Sequence, residues 1–172
     1  MQILEFYSDG SSDNIKAKNA GWASVFIPEG RKPLILYGHL EMPATNNHGE
    51  LIGIIGCAYL LKKMELSTQK RFCSRITSDS EYAIGCLDPQ SNWLPSKNQD
   101  IIHPGNLLLN SCSSIISFKW VKGHKGVEGN ELADKFSRFG RLQQVMNDPR
   151  YVTKYFSNKA EIMTVFNSIL KE

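Results

Sequence analysis

The sequence predicts an α/β fold, a mixed sheet with helices packed on its faces, and three observations predict it. Three short runs of β-forming residues stand first, joined by turns. The apolar period then changes from strand-like to helical near residue 47. After that change, helical and strand-like runs alternate to about residue 140.

Ile3 to Ser8 is short and rich in β-formers, and it runs into Asp9-Gly10-Ser11-Ser12, a turn-forming segment. Gly21 to Ile27 and Leu34 to Met42 read as two more strands, joined by a turn at Pro28-Glu29-Gly30, and the three suggest an antiparallel meander. Beyond Met42-Pro43, the residues Leu51, Ile54, Ile55, Ala58 and Leu61 fall at helical spacing. Asn47 stands three residues before Glu50, as a capping box requires, so a helix is expected to start near Asn47. Phe72 to Thr77 is the next strand and Ser80 to Leu87 a short helix behind it. Asp88 to Asn106 carries three of the seven prolines and reads as loop or irregular structure. Leu107 to Cys112 follows as helix and Ile115 to Val121 as strand. Three glycines in the seven residues from Gly123 to Gly129 suit a mobile loop, and from Asn130 a helix puts Leu132, Ala133, Phe136 and Phe139 on one side.

A chain of 172 residues with ordinary apolar and charged fractions can bury one core and leaves little room for a second full domain. The expected division is one domain over residues 1–142 and a C-terminal extension over 143–172. In that extension Asn158-x-x-Glu161 opens a segment with Ile162, Val165, Phe166 and Ile169 at helical spacing, an amphipathic helix expected to dock on the same domain, the alternative being that it binds a partner. The four cysteines, Cys57, Cys73, Cys86 and Cys112, are widely spaced with no C-x-x-C pair, which favours reduced core thiols over disulfides or a zinc site. The apolar stretch from Met1 to Tyr7 is too short for a signal segment, and no run approaches transmembrane length. The expectation is a monomer in a reducing, cytoplasmic setting, away from membranes.

A formal charge of +3 does not by itself name a nucleic-acid partner. Its placement says more. From Arg138 onward there are six basic residues against three acidic ones, and everything before that point is balanced.

Four acids stand at corresponding kinds of places: Asp9 at a strand end, Glu50 in a first helical turn, Asp79 at a strand-to-helix junction and Asp134 early in the last core helix. Such placement can bring all four to one edge of a sheet. Hard divalent cations want carboxylate oxygens, and a two-metal nuclease holds two ions about 3.5–4 Å apart. Each acid also has a plainer reading. Asp9-Gly10 can be a turn pair, Glu50 the third residue of a capping box, Asp79 helix-start chemistry with Ser78-x-x-Glu81 as its box, and Asp134 a solvent-facing helix acid.

The order and surroundings of the four favour the first reading. Tyr7-Ser8-Asp9-Gly10-Ser11, Thr45-Asn46-Asn47-His48-Gly49-Glu50-Leu51, Ser78-Asp79-Ser80-Glu81-Tyr82, Trp120-Val121-Lys122-Gly123-His124-Lys125-Gly126 and Asn130-Glu131-Leu132-Ala133-Asp134 resemble, in order, the signatures of type 1 ribonuclease H. The resemblance covers roughly residues 1 to 140. It implies a ribonuclease H-like fold with a five-stranded mixed sheet, antiparallel over strands 1–3 and parallel over strands 4–5, with the Asp9 and Asp79 strands side by side. It also implies two Mg2+ ions, with Mn2+ as a substitute, bridging Asp9, Glu50, Asp79 and Asp134. The reaction implied is in-line hydrolysis of the RNA strand of an RNA/DNA hybrid, leaving 3′-hydroxyl and 5′-phosphate ends.

By the same resemblance, His124 lies on a flexible loop and assists proton transfer or product release, a role that suits a residue type titrating near neutrality. Asn46 and Asn47 resemble contacts to base edges and sugars in the minor groove, where 2′-hydroxyls distinguish RNA from DNA. Asn47 can also be the helix N-cap, and the two roles are compatible. Thr45 matches a threonine that holds a phosphate of the DNA strand, and Ser11, Ser12 and Glu81 complete the implied substrate contacts. Two departures stand out. Glu81 replaces the glutamine usual after the Asp-Ser pair, and an acid suits phosphates poorly. The region matching a lysine-rich, tryptophan-bearing protrusion, Asp88 to Asn106, holds one basic residue, Lys97, and one tryptophan, Trp93. Arg138, Arg141, Arg150, Lys154 and Lys159 are therefore the candidates for the backbone grip, the alternative being that they face solvent from a packed tail. Two other functions share this fold: a structure-specific DNA nuclease, against which the Thr45-Asn46-Asn47 block and the His124 loop argue, and a non-catalytic hybrid-binding module, against which the full set of acids argues.

Overall fold

A computed structural model describes residues 2–13 and 18–172. Among them, six strands form one sheet: β1 (Ile3–Ser12), β2 (Ala20–Phe26), β3 (Leu34–Leu40), β4 (Cys73–Ser78), β5 (Ile115–Trp120) and β6 (Val152–Phe156), in the spatial order β5-β4-β1-β2-β3-β6. The first three pair as the expected antiparallel meander, and β4 runs parallel to β1 with β5 parallel beyond it. Five helices, α1 (Asn46–Thr68), α2 (Glu81–Leu87), α3 (Gln99–Ser111), α4 (Glu128–Arg141) and α5 (Lys159–Ile169), accompany them.

Alternation along each strand divides the core in two. Phe6 and Ile76 join Leu51, Ile54 and Ile55 of α1, Leu87 of α2, Leu108 of α3 and Phe166 of α5 in one buried cluster. On the opposite face Val25, Ile35 and Tyr37 meet Ala133 and Phe136 of α4, with Tyr37 and Phe136 edge to face at 5.0 Å. Helix α1 is buried for most of its length because the sheet lies on one side and α2, α3 and α5 on the other. Even its Glu65 is enclosed, accepting the backbone N–H groups of Ser113 and Ser114 at 3.1 and 2.7 Å.

The sheet has six strands, not five. Val152 to Phe156 is only five residues long, with a polar or half-buried residue at most positions, too weak a signal to read locally. Its place comes from pairing parallel to β3, from Leu34 opposite Val152 to Gly38 opposite Phe156, which covers an otherwise open edge and sets Phe156 5.7 Å from Trp22. Helix α5 forms where the Asn158-x-x-Glu161 spacing predicts it, the Asn158 side chain accepting the Glu161 N–H at 2.9 Å. Its Ile162, Phe166 and Ile169 enter the core beside α1 and α3.

Three local readings change. Asp9-Gly10-Ser11-Ser12 is not a turn but the continuation of β1, paired with β2 as far as Ser12 opposite Ala20. Gly10 is there because α1 crosses at contact distance: a Cβ would lie 2.5 Å from Glu50 N, 2.8 Å from Gly49 C and 2.9 Å from Asn46 O, all backbone atoms. Residues 99–106 are helical despite Pro104, since Ile101, Ile102, Gly105, Leu108 and Leu109 form a buried face that offsets the backbone bond the proline cannot make. Helix α4 begins at Glu128, two residues earlier than its apolar pattern.

The contact at Gly10 yields a stability prediction. Gly10→Ala is expected to destabilise the fold by about 1–3 kcal/mol by overpacking, read as a lower denaturant midpoint, and to shift the first turn of α1 with it. An unchanged midpoint would show that the helix can retreat at no cost.

Candidate active site

Parallel pairing of β1 and β4 places Ser8 opposite Ser78. The next residues, Asp9 still within β1 and Asp79 just past the end of β4, therefore stand side by side. The close crossing of α1 over Gly10 brings Glu50 to the same point. One carboxylate oxygen from each of Asp9, Glu50 and Asp79 lies within 4.8 Å of the other two.

Little in the protein compensates these charges. The Gly10 N–H donates to Asp9 Oδ1 at 2.8 Å and Asn46 Nδ2 to Glu50 Oε1 at 3.3 Å, while Glu50 Oε2 is buried without a hydrogen-bond partner. Burial raises the Asp9 pKa far above the usual carboxylate range, and Glu50, Asp79 and Asp134 add to the effect. Burial likewise raises Glu50, with Asp79 adding repulsion, and raises Asp79, where Asp134 adds to it and His124 opposes it. A buried, unpartnered carboxylate oxygen among like charges is costly by itself and fits a hard divalent cation that takes oxygen ligands.

The structure thus gathers three of the four acids. Asp134 of α4 adds its charge to the field at Asp9 and Asp79 from outside the trio, and its Oδ2 is ion-paired with Arg138 Nη2 at 2.7 Å, one helical turn on. Sequence reading missed that pair, although the i,i+4 spacing was its signal. His124 is exposed on the loop before α4, in a left-handed conformation (φ 59°), close enough for its charge to act on Asp79. That loop is tied to α4 where the Gly126 N–H donates to Glu131 Oε1 at 3.2 Å.

The residues expected to contact substrate lie at the start of α1, the end of β1 and the start of α2. Asn46 and Asn47 are exposed in the first turn of α1. Asn47 is not the cap: Thr45 is, with Thr45 Oγ1 accepting the His48 N–H and His48 Nδ1 accepting the Thr45 N–H. The Thr45 hydroxyl is thereby engaged in the helix start. Ser11 and Ser12 end β1, where Arg141 Nε donates to Ser11 Oγ at 3.0 Å. Glu81 is exposed as the first residue of α2, whose cap is Ser80 and not Ser78; Ser80 Oγ accepts the Ala83 N–H at 3.0 Å. A cleft of about 630 Å³ opens between Asn47, three residues before Glu50, and the segment from Trp93 to Asn98, with Tyr82 also in its lining.

The basic C-terminal side chains are largely occupied within the protein. Arg138 faces Asp134, Arg150 grips both oxygens of Asp148, Lys159 pairs with Asp100, and the Lys154 ammonium lies 5.1 Å from the Phe156 ring centre. No helix among the described residues is long and apolar enough to cross a membrane, and no disulfide joins the cysteines.

Known proteins are similar to this chain in sequence. A family model described as RNase H matches residues 1–141. The protein named Ribonuclease H of Thiobacillus denitrificans is 32% identical over 149 residues, 82% of this chain and 95% of the relative. That of Stutzerimonas stutzeri is 31% identical over 152 residues, 81% of this chain and 92% of the relative, and that of Hahella chejuensis 29% identical over 153 residues, 81% and 94%. With the family model spanning the chain from β1 to the end of α4 and three of the acids meeting at the sheet, this chain belongs to the ribonuclease H family.

Proposed function

We propose that this protein is an endoribonuclease that hydrolyses the RNA strand of RNA/DNA hybrids, leaving 5′-phosphate and 3′-hydroxyl ends. The observation that carries the reading is the convergence of Asp9, Glu50 and Asp79 in a chain of this family. Asp9, Glu50, Asp79 and Asp134 are the residues that would hold two Mg2+ ions, with Mn2+ able to replace them. Bound there, divalent cations supply charge neutralisation at the scissile phosphate and activation of the attacking water. The chain's own residues supply the rest. Asn46 orients Glu50, Asn46 and Asn47 face the minor groove of the hybrid, Ser11 and Ser12 contact the hybrid from the end of β1, and Thr45 holds a phosphate of the DNA strand. His124, carried by a loop, holds or moves a proton near Asp79. Glu81 repels phosphate and narrows contact at the start of α2. The protein acts as a monomer in the cytoplasm.

Strand-specific labels test this directly. The RNA strand of a hybrid is expected to be cut only when Mg2+ is present, with duplex DNA and single strands left whole. Equal cleavage of duplex DNA would favour a DNA nuclease on the same fold, and binding without cleavage a hybrid-binding module.

The grip on the backbone needs a source. Because Arg150 and Lys159 are paired with acids, replacing Arg150, Lys154 and Lys159 together by alanine is expected to flatten the salt dependence of hybrid binding by less than about one log–log unit, where three free phosphate contacts would cost about two to three. Measured flattening of the larger size would restore the C-terminal charges as the grip.

A further inference from the structure

A hydrogen-bond chain crosses between the elements that line the cleft at Asn47, and its direction is determined by its first link. His48 Nδ1 accepts the Thr45 backbone N–H at 3.0 Å, so the ring's proton sits on Nε2. Nε2–H then donates to Asn98 Oδ1 at 2.9 Å. With its oxygen used, the Asn98 amide presents Nδ2, which donates to the Tyr82 hydroxyl at 2.7 Å. The chain joins three segments that share no backbone pairing: the first turn of α1, the N-cap of α3 and the first turn of α2.

Each joined segment borders the candidate chemistry. Asn47 and Glu50 share a helical end with His48, and Tyr82 stands three residues beyond Asp79. Asn98 closes the segment Trp93 to Asn98, the outer wall of the cleft. That wall has few other ties to the core. Leu94 is 96% exposed, and Trp93 rests its ring on Gly85 and beside Tyr82, with centres 6.2 Å apart, while remaining half exposed. Asn98 itself sits in the left-handed region (φ 61°, ψ 26°) and caps α3 with no side-chain bond to that helix, so its amide is available for the bridge.

We infer that His48 and Asn98 are positioning residues that set the distance between the Asn47 end of α1 and the Trp93–Asn98 wall, and so determine how tightly the hybrid seats against the carboxylates. The inference rests on the function proposed above. They touch no reacting atom. Their effect falls on substrate seating, because the bridge orders in advance a wall that otherwise must be ordered when substrate binds.

The test uses substitutions that separate the bridge from the fold. Asn98→Gly keeps the left-handed backbone and removes only the amide. It is expected to raise KM for a hybrid about three- to tenfold, the range of a lost hydrogen bond, with kcat held within about twofold. His48→Ala removes cap and bridge together and is expected to show at least the same rise. His48→Gln offers one acceptor to Thr45 N–H and one donor to Asn98, as the imidazole does, and is expected to restore KM. The double variant His48→Ala/Asn98→Gly is expected to be no worse in KM than His48→Ala alone, since both cut one chain. A KM for Asn98→Gly equal to wild type, a loss confined to kcat, or failure of His48→Gln to restore KM would overturn the inference. Absence of hybrid cleavage in the wild type would instead overturn the function on which it rests.

Discussion

Asp9→Asn and Asp79→Asn proteins are expected to fold, to melt no earlier than wild type in the absence of metal, and to lose hybrid cleavage altogether. Each substitution removes one ionisable carboxyl from a trio whose ligand oxygens lie within 4.8 Å of one another and whose Glu50 oxygen has no partner. Loss of a carboxylate removes both a ligand for the cation and a share of the repulsion that the cation relieves. Burial and neighbouring acids raise the folded-state pKa of Asp9, Glu50 and Asp79 above their unfolded values. The folded protein therefore binds protons that the unfolded chain has already lost, and metal-free stability falls as pH rises above the ordinary carboxylate range. Melting of the metal-free wild type between about pH 5 and about pH 8 should show that fall, Mg2+ at the higher pH should reverse it, and Asp9→Asn should flatten it. Near wild-type cleavage by either variant, or a metal-free wild type whose stability does not fall over that interval, would count against a cation-dependent carboxylate site.

His124→Ala is expected to lower turnover by a factor of about 10²–10⁴, the usual range for loss of a general acid or base, with little change in hybrid affinity. The residue is exposed on the loop before α4 and lies outside the carboxylate trio. Its removal leaves the cation ligands in place, so the effect is smaller than that of Asp9→Asn. The backbone at His124 is left-handed, so an alanine there also strains the loop. His124→Gly relieves that strain without restoring the imidazole and is expected to be equally slow. Recovery of activity in the glycine variant would assign the role of His124 to loop geometry. Complete loss of hybrid binding in His124→Ala would make it a substrate-holding residue.

The five motif blocks, the antiparallel meander, the helical period of α1 and α4 and the Asn158 cap of α5 were legible in the sequence because each rests on residues near one another in the chain. Capping was legible in kind and mistaken in place. Thr45 and His48 form the box that Asn47 and Glu50 were expected to form, and Ser80 caps α2 where Ser78 was expected. A histidine at the third helical position is an uncommon partner, and nothing local distinguishes two overlapping candidates. Strand β6 and the first half of α3 were not legible, since a five-residue alternation and a proline-bearing segment take their conformation from the surfaces they cover.

By itself the sequence determined that four acids stand near the junctions of strands and helices, and hence that four carboxylates could share an edge. The tertiary structure decided the rest. Parallel pairing of β1 with β4 and the close crossing over Gly10 brought Asp9, Asp79 and Glu50 together, while Arg138 engaged Asp134 and the bridge from His48 to Asn98 set the neighbouring cleft. The division has a physical reason. Periodicity and capping are local properties, carried by residues within a turn or two, whereas a site is built from distances between segments far apart in the chain, and those distances exist only once the core has packed.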